Sequence, residues 1–535
     1  MIHINQIGYK PGDRKEVLIN KSDQEIKNFE IINSSNDNVV FTGELTGPYS
    51  DKDSGDTLYK GDFTEFRDSG DYLIKVAGGE QSYLFSIEEN IYQEVRDALL
   101  KVMYYQRCGI ELEEDYAGCW KHAACHSEDA YLYEKPEIHI DTTGGWHDAG
   151  DYGKYVVPAA KTVADLLLSY EFFPQAFDDC LNIPESGNGI PDILDEVRVA
   201  LDWMLKMQAD NGGVYHKVTT KNFIGVVMPE TSKEKRYIFP ISSTATADFA
   251  AVMAMAGRVY KGIDKTFSEK AIDAAEKSWA WLINNPDLIA YMNPPGVNTG
   301  GYGDNDDRDE RFWAAVELYR ATGHAEYHRY IKLNYKNEFN KTTIDWQHVG
   351  GYAVISYLFI EEDKRDNTVY QYLKTCFFND ADQMVKRGIS SGYGISLDRY
   401  IWGSNGLLMD QALVLIIASM LDKEKADKYI YIAKNNFNYL LGCNALNQSY
   451  LTGFGSNPIM NPHHRPSSAD GVKEPVPGIV SGGPNKNLQD EALRKAVPED
   501  VAPARAFIDE MASHSSNEMT TYWNSPAVFV AAYFS

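Results

Sequence analysis

The sequence predicts two domains, a small β-sandwich over residues 1–88 and an all-helical domain over residues 89–535. Near the N-terminus, hydrophobic residues alternate with polar ones over short runs, which is typical of strands. After residue 91 they recur every three to four positions, which is typical of amphipathic helices. At 535 residues the chain is also too long for one ordinary compact core.

Short alternating runs separated by turn-forming segments support the N-terminal sandwich. Ser34-Ser35-Asn36-Asp37 and Asp68-Ser69-Gly70-Asp71 are typical turn sequences. The join near 88–92 lacks the Gly, Ser or Pro run of a flexible linker, so we expect the two domains to pack together. The predicted strands lie at 17–19, 29–32, 72–76 and 83–87.

Helical periodicity dominates the rest of the chain, with long loops rich in Gly, Asn and Asp between the periodic segments. Many helices with almost no strand pattern predict a helical bundle or toroid, in which the loops at one end carry the chemistry. The predicted helices lie at 94–107, 163–170, 191–208, 246–260, 268–282, 309–322, 409–420, 426–441 and 525–533.

Charge and hydropathy exclude several classes of partner. The net charge of −26 repels nucleic acid and anionic membranes. We find no stretch of about 18 apolar residues and no apolar signal segment at the start, so we expect a chain that does not span a membrane. The expected location is cytoplasmic, or extracellular if a signal peptide has been removed. No organic cofactor is expected.

Three segments carry candidate catalytic chemistry. In the first, Gly144–Tyr155, Asp148 and Asp151 stand three positions apart with Ala and Gly between them, so water or a ligand can approach both carboxylates. A solvated turn or a calcium loop would have the same pattern.

The second segment, Asn461–Ser468, presents two imidazoles and a guanidinium between prolines, which suits hydroxyl-rich ligands but also a structural loop. In the third, Glu518 precedes the apolar C-terminal helix. There it could serve as an acid or as a charge that favours the helix dipole.

These three segments, in this order, resemble family 9 glycoside hydrolases over essentially the whole chain. Further matching segments are Asn5–Tyr9, Asn188–Glu196, Asp309–Ala315, Trp402–Asn405, Leu441–Asn444 and Pro477–Pro484. The resemblance implies an N-terminal immunoglobulin-like β-sandwich and an (α/α)6 barrel. It also implies inverting cleavage of β-1,4-linked glucans.

The resemblance assigns the catalytic roles residue by residue. Asp151 is the general base that activates water, Asp148 helps to position that water, and Glu518 is the general acid. An inverting hydrolase needs one protonated and one ionised carboxyl, about 6.5 to 9.5 Å apart. The resemblance also implies that His463 and Arg465 hold the sugar near the bond that is cut.

Aromatic residues near these segments are candidate stacking platforms for sugar rings. They are Trp402, Tyr522 and Trp523. For each of them a role in the hydrophobic core is an equal alternative.

Four residues form a candidate zinc site. Cys108, Cys125, His126 and His147 supply two thiolates and two imidazoles, the usual ligand set of a closed structural site. Their spacing is irregular, and buried free thiols are the alternative. Members of the family with the same N-terminal domain bind zinc at the matching positions, which implies a structural zinc here. Since His147 adjoins Asp148, this zinc would brace the catalytic loop.

The acidic stretch 304–310 offers the oxygen ligands that calcium prefers. It resembles a calcium loop of the family, with Asp306, Asp309, Glu310 and the distant Asp345 as candidate ligands. A solvated acidic turn is the alternative.

Two rival functions stay open at this point. An exo-acting β-glucosidase or exo-β-D-glucosaminidase on short oligosaccharides would have the same fold but would cleave its substrate from one end. A non-catalytic carbohydrate-binding protein would be expected to lack one of the three carboxyls, all of which are present.

Overall fold

The computed structural model describes residues 1–20, 26–76 and 79–535. It divides into two compact units. The first comprises Met1–Val102, Ala381–Ser467 and Val472–Ser535, and the second comprises Met103–Asp380 and Ser468–Gly471.

An eight-stranded, mostly antiparallel sheet forms the N-terminal part of the first unit, in the order β1-β3-β6-β5-β4-β7-β8-β2. Its inner face packs around aromatic and branched side chains such as Phe29, Phe63 and Phe85. The predicted strand segments are confirmed. The strands are β1 Ile2–His3, β2 Gly8–Tyr9, β3 Glu16–Asn20, β4 Asn28–Asn33, β5 Val39–Ser50, β6 Thr57–Asp62, β7 Gly70–Val76 and β8 Phe85–Ile87.

The sheet is bonded to C-terminal elements of the same unit. Asn5 donates to Asn438 Oδ1 at 3.0 Å, and Arg505 donates to Asp56 Oδ1 at 2.6 Å. The backbone N–H of Gly392 donates to Asp51 at 2.9 Å. The N-terminal strands therefore share one compact unit with the C-terminal helices, as the lack of a flexible linker predicts.

Helices dominate the regular structure of the remaining described chain, and a helix occurs at each of the nine predicted positions. Eight of the nine agree within five residues at each end, whereas the helix predicted at 163–170 begins seven residues earlier, at Val156. Three helices longer than eight residues were not predicted, α8, α9 and α10. The helices are α1 Gln93–Tyr105, α2 Glu114–Ala117, α3 Val156–Phe172, α4 Asp192–Lys206, α5 Ser243–Val259, α6 Lys265–Asn284, α7 Arg308–Thr322, α8 Ala325–Asn334, α9 Gly350–Leu358, α10 Asn367–Ser390, α11 Ser404–Leu421, α12 Ala426–Leu440, α13 Arg465–Ala469, α14 Glu491–Ala496, α15 His514–Asn517 and α16 Thr521–Phe534.

Neighbouring helices pack pairwise within each unit. In the second unit, α5 packs against α3, α6 and α7, and α7 packs against α9. In the first unit, α11 packs against α12 and α16. Helix α11 is long and apolar enough to cross a membrane by length and mean composition, although it contains Asn405, Asp410 and Gln411 and is not the continuous apolar stretch whose absence was expected. The helix is 83% buried inside the fold, as expected for the core helix of a globular protein.

Short strands also occur within the second unit, where almost none were predicted. With two to six residues each, they are too short to show a period of two. They form a five-stranded sheet, in the order β10-β9-β14-β13-β11, and a pair, β12 with β15. The strands are β9 Ala130–Leu132, β10 Lys135–Ile140, β11 Lys154–Tyr155, β12 Val214–Tyr215, β13 Lys217–Thr219, β14 Tyr237–Ile238 and β15 Ile241–Ser242.

Candidate active site

Asp148 and Asp151 lie on one tight loop of the second unit, between β10 and β11. Asp148 N–H donates to the Gly153 carbonyl at 2.9 Å, and Gly153 N–H donates to Asp151 Oδ2 at 2.9 Å. Both carboxylates are buried. The loop enters this turn through Gly145, whose φ is +74° and where a Cβ would lie 2.7 Å from the Trp203 ring. Only glycine suits that position.

Tyr302 is a part of this site that sequence reasoning missed. Its hydroxyl donates to Asp148 Oδ2 at 2.6 Å. Asp148 Oδ1 is buried and has no hydrogen-bond partner among the described residues, so it can accept a hydrogen bond from water or a sugar. Burial raises the pKa of Asp148 well above its ordinary value, the Tyr302 hydrogen bond opposes this, and the Asp151 charge adds to it.

Aromatic rings surround this tyrosine. Tyr302 packs edge-on against Tyr155 and Trp346, with ring centroids 4.8 and 5.1 Å apart. Because Tyr302 is 154 positions from Asp148, no local pattern links the two residues. The only sequence signal is the preceding pair Gly300-Gly301, which favours a tight turn.

Glu518 belongs to the first unit and precedes α16. Its carbonyl accepts a hydrogen bond from Gly482 N–H at 2.8 Å. The preceding Asn517 carbonyl accepts one from His463 N–H, also at 2.8 Å, and His463 and Glu518 form a parallel bridge. The backbone of Glu518 is therefore fixed by two separate segments, and its side chain is partly exposed.

The predicted sugar contacts of the first unit fall into two groups. Trp402, which is 38% exposed, lies 5.3 Å from His514, and His514 lies 5.9 Å from His463. Trp402 and His463 thus share one cluster of rings with His514, which was not predicted. Arg465 and Tyr522 are both buried. Tyr522 packs edge-on against Trp523, as the alternative core role expects.

The four candidate zinc ligands converge in the second unit. Their nitrogen and sulfur atoms all lie within 4.8 Å of one another. His147 Nε2 is 3.3 Å from His126 Nδ1 and 4.0 Å from Cys125 Sγ, and His126 Nδ1 is 3.8 Å from Cys108 Sγ. Tetrahedral zinc with bonds of about 2.0 to 2.3 Å spaces its ligand atoms by about 3.3 to 3.8 Å. This donor set therefore fits zinc.

The candidate calcium ligands divide into inner and outer residues. Asp309 and Glu310 are buried at the start of α7, and Asp309 accepts a hydrogen bond from Val349 N–H at 2.9 Å. Asp306 is more exposed, and Arg308 donates to its two oxygens at 2.7 and 2.6 Å. Asp345 faces His348, whose Nδ1 is 3.1 Å from both of its carboxylate oxygens.

A third inner carboxylate, Asp248 on α5, was not predicted. Both of its oxygens are buried without a hydrogen-bond partner among the described residues, as is Glu310 Oε2. Burial, and after it the charge of Asp309, raises the pKa of both Asp248 and Glu310 well above their ordinary values. A cation would relieve this repulsion.

Comparison with protein families supports the resemblance found in the sequence. The family model described as glycosyl hydrolase family 9 matches residues 92–531. The model described as the cellulase N-terminal ig-like domain matches residues 1–81.

Individual relatives are similar over nearly the full chain. A cellodextrinase of Butyrivibrio fibrisolvens is 37% identical over 98% of both chains. The crystal structure of a thermostable endoglucanase mutant from Alicyclobacillus acidocaldarius matches with a TM-score of 0.92 and 37% identity, covering 100% of this chain and 99% of that one. A zinc-binding triple mutant of a family 9 endoglucanase matches with a TM-score of 0.93 and 31% identity, covering 98% and 99%.

Proposed function

The chain belongs to glycosyl hydrolase family 9 and is a glycoside hydrolase, and from that membership we propose that it cleaves β-1,4-glucosidic bonds of cellulose or cello-oligosaccharides as an inverting endoglucanase. The observation that carries this proposal is the loop that holds Asp148 and Asp151 side by side. Tyr302 binds one Asp148 oxygen, and the other oxygen can accept a hydrogen bond from water.

Inverting hydrolysis assigns a different task to each carboxyl. Asp151 takes a proton from the attacking water, and Asp148 orients that water. Glu518 gives its proton to the departing glycosidic oxygen, so that the bond breaks without a charged leaving group. No covalent intermediate forms, and the configuration at the anomeric carbon is inverted.

Sugar positioning is assigned to residues of the first unit. The Trp402 ring is exposed enough to stack on a sugar face. The Nδ1 atom of His463 bonds to the Met511 carbonyl at 2.6 Å, which fixes the orientation of the ring, and His463 is assigned to a sugar hydroxyl near the cut. Arg465 is assigned to sugar hydroxyls near the cut. Tyr522 is buried against Trp523, so a packing role is also open to it.

Family membership also supports an (α/α)6 barrel for the helical domain. The expected domains remain 1–88 and 89–535. The helix pairs that pack within each unit, such as α5 with α6 and α11 with α12, are consistent with the helical hairpins of such a barrel.

A structural zinc held by Cys108, Cys125, His126 and His147 is part of the proposal. His126 has a φ of +46°, a left-handed conformation that is costly for a non-glycine residue. Ligation of the metal would offset that cost. Because His147 N–H donates to the Gln106 carbonyl at 2.7 Å and is followed directly by Asp148, the zinc would stabilise the catalytic loop and not take part in chemistry.

A calcium ion at Asp309 and Glu310 is also proposed, with Asp248 as an additional buried ligand. The unpartnered buried oxygens of Asp248 and Glu310 suit a hard cation. Asp309 accepts a hydrogen bond from the N–H of Val349, the residue that follows His348, and the pKa of His348 is raised first by its hydrogen bond to Asp345 and further by the charge of Asp309. Asp306 is a weaker candidate because Arg308 holds both of its oxygens.

The second candidate function is exo action on short oligosaccharides. The full-length similarity to a chain named cellodextrinase favours it. Product analysis on cellohexaose and on chitosan oligomers separates the two. Endoglucanase action gives a spread of shorter cello-oligosaccharides, monomer alone indicates exo action, and cleavage of the chitosan oligomers alone would point to glucosaminidase activity. No cleavage of either would contradict both functions.

A further inference from the structure

Lys217 is a fully buried cation that the proposed mechanism leaves without a task. It begins β13, and its side chain has 0% of its surface exposed. Its Nζ donates to three neutral acceptors on one short segment, namely Asn293 Oδ1 at 2.8 Å, Thr299 Oγ1 at 3.0 Å and the Gly300 carbonyl at 2.5 Å. Burying a charge is costly, so an amine placed for packing alone would be unfavourable here.

The segment that Lys217 holds leads directly to Tyr302. Asn293 donates to the Thr299 carbonyl at 2.6 Å, which closes the segment on itself. His216, the neighbour of Lys217, bonds through Nε2 to the Gly301 carbonyl at 2.8 Å. Two adjacent side chains, at the start of β13 and directly before it, thus hold the carbonyls of both residues that precede Tyr302.

Tyr302 needs this support because its backbone is strained. Its φ of +47° lies in the left-handed region, where an aromatic residue is rarely found without external constraint. In this conformation its hydroxyl reaches Asp148 Oδ2. A strained backbone persists only where its surroundings fix it, and here the fixed points are Gly300 and Gly301.

The same strand is bonded to the catalytic loop. Lys217 lies opposite Tyr155 in the β11–β13 ladder, and Val156 N–H donates to the His216 carbonyl at 3.0 Å. Burial lowers the pKa of Lys217 to about 7, while the negative charge of Asp151 acts in the opposite direction. One strand therefore links the loop of Asp151 to the segment that carries Tyr302.

We propose that Lys217 is a positioning residue for the hydrolysis: by holding Asn293, Thr299 and Gly300, it keeps Tyr302 in the strained conformation in which its hydroxyl orients Asp148. Lys217 touches neither substrate nor attacking water and acts through Tyr302. This inference rests on the proposed function of Asp148.

A double-mutant cycle tests the proposal with cellopentaose as substrate. Lys217→Met keeps the length of the side chain and removes its charge and hydrogen bonds. We expect kcat to fall about 10- to 100-fold, the range for a small misplacement of catalytic groups, with KM changed less than about threefold. Tyr302→Phe should lower kcat similarly. The double variant should be no more than about twofold slower than the slower single variant, because both changes remove the same interaction.

If the kcat losses of the two single variants multiply in the double variant, the proposal is overturned. It is also overturned if Lys217→Met keeps more than half of the wild-type kcat. Lys161→Met is the matched control, since Lys161 is an equally buried lysine of the second unit that pairs with Asp165 at 2.8 Å. It should lower the melting temperature and leave kcat nearly unchanged in the folded enzyme. An equal loss of kcat in this control would show that Lys217 is merely structural.

Two further measurements test the proposal if Lys217→Met does not fold or if the wild-type enzyme cleaves no glucan. If Lys217→Met does not fold, Thr299→Val removes one acceptor and keeps the shape of the side chain. It should lower kcat several-fold and show the same lack of additivity with Tyr302→Phe, and unchanged kcat would count against the proposal. A crystal structure of Lys217→Met gives a readout without activity. We expect the bond from Tyr302 to Asp148 to be lost, and its survival near 2.6 Å would refute the positioning role even if the wild-type enzyme cleaves no glucan.

Discussion

The hydroxyl of Tyr302 donates a 2.6 Å hydrogen bond to Asp148 Oδ2, although the two residues are 154 positions apart. The bond fixes one oxygen of a buried carboxylate, while Asp148 Oδ1 has no partner among the described residues. We propose that a carboxylate held in this way orients the water molecule that Asp151 activates.

Tyr302→Phe should therefore impair the chemical step more than substrate binding. Hydrogen bonds to charged groups contribute about 1.5 to 3 kcal/mol, so kcat should fall about 10- to 100-fold. Steady-state kinetics on cellopentaose measure this change, with KM expected to stay within about threefold. Tyr319→Phe is a suitable control, because its hydroxyl bonds to the Lys364 carbonyl elsewhere in the second unit. A wild-type kcat in Tyr302→Phe would show that the Tyr302 hydroxyl does not contribute to the chemical step.

Removal of zinc should lower stability before it affects chemistry. We expect one zinc per chain by elemental analysis, and a melting temperature that falls on chelation or in Cys125→Ser, because buried thiols and imidazoles lose the ion that holds them together. At temperatures well below the transition, kcat should be retained. Cys119→Ser is the control, since Cys119 is exposed. Absence of zinc together with unchanged melting after chelation would contradict the assignment.

Calcium should stabilise the cluster around Asp309. Without a cation, Asp248, Asp309 and Glu310 repel one another in a buried setting. We expect EGTA to lower the melting temperature, and Asp309→Asn to abolish that response. Asp306→Asn should change melting by only about 1 to 2 °C, since a mostly surface ion pair contributes little. A melting temperature indifferent to both calcium and EGTA would argue for a solvated acidic turn.

Acid should destabilise the first unit through His3. Burial lowers the pKa of His3 from 6.5 to about 3. Between these values the unfolded chain binds a proton that the folded chain excludes, so the free energy of unfolding falls as pH decreases from about 6.5 toward 3. One such group contributes a slope of at most about 1.4 kcal/mol per pH unit.

Urea unfolding between pH 4.5 and 7.5 measures this slope. The His3→Gln variant should have a shallower slope than the wild-type chain, because it has no imidazole to protonate. The exposed His139 provides the matched control His139→Gln, whose slope should equal that of the wild type. Equal slopes in all three proteins would show that His3 does not govern acid stability.

Much of the fold could be predicted because the spacing of hydrophobic residues along the sequence reflects which positions are buried. Helices such as α4 and α12 bury one face, and their patterns gave both their existence and their approximate ends. Helix α9 was missed because it is buried on all sides and begins with Gly350-Gly351, which resembles a loop. Helix α10 was missed because its 24 residues alternate between partly exposed and buried positions without a clean apolar stripe.

The candidate site was predictable where its residues lie in segments that resemble the family, and it was not predictable where they lie outside those segments. The four zinc residues converge as expected. Asp248, Tyr302 and Lys217 were missed because each reaches its partners from a distant segment, so the adjacent sequence does not reveal those partners. The assignment of Asp306 stays a prediction, because Arg308 donates to both of its oxygens and the acidic stretch alone does not distinguish an ion pair from a metal ligand.

Asp151 and Glu518 are the proposed general base and general acid, and each should be indispensable. Asp151→Asn removes the proposed base and Glu518→Gln removes the proposed acid, so each should lower kcat by about 10² to 10⁴-fold. Asp148→Asn should be milder if this carboxylate only orients water. Both severe variants should keep the melting temperature of the wild-type enzyme within a few degrees, which separates loss of chemistry from loss of fold.

The stereochemistry of the first product distinguishes direct inversion from a double displacement. Proton NMR of the earliest stage of cellohexaose hydrolysis distinguishes the two anomers before they equilibrate. If Asp151 activates water while Glu518 protonates the departing oxygen, the attack inverts the β-linked carbon and the α-anomer appears first. Appearance of the β-anomer first would mean a double displacement and would contradict the roles assigned to both carboxyls.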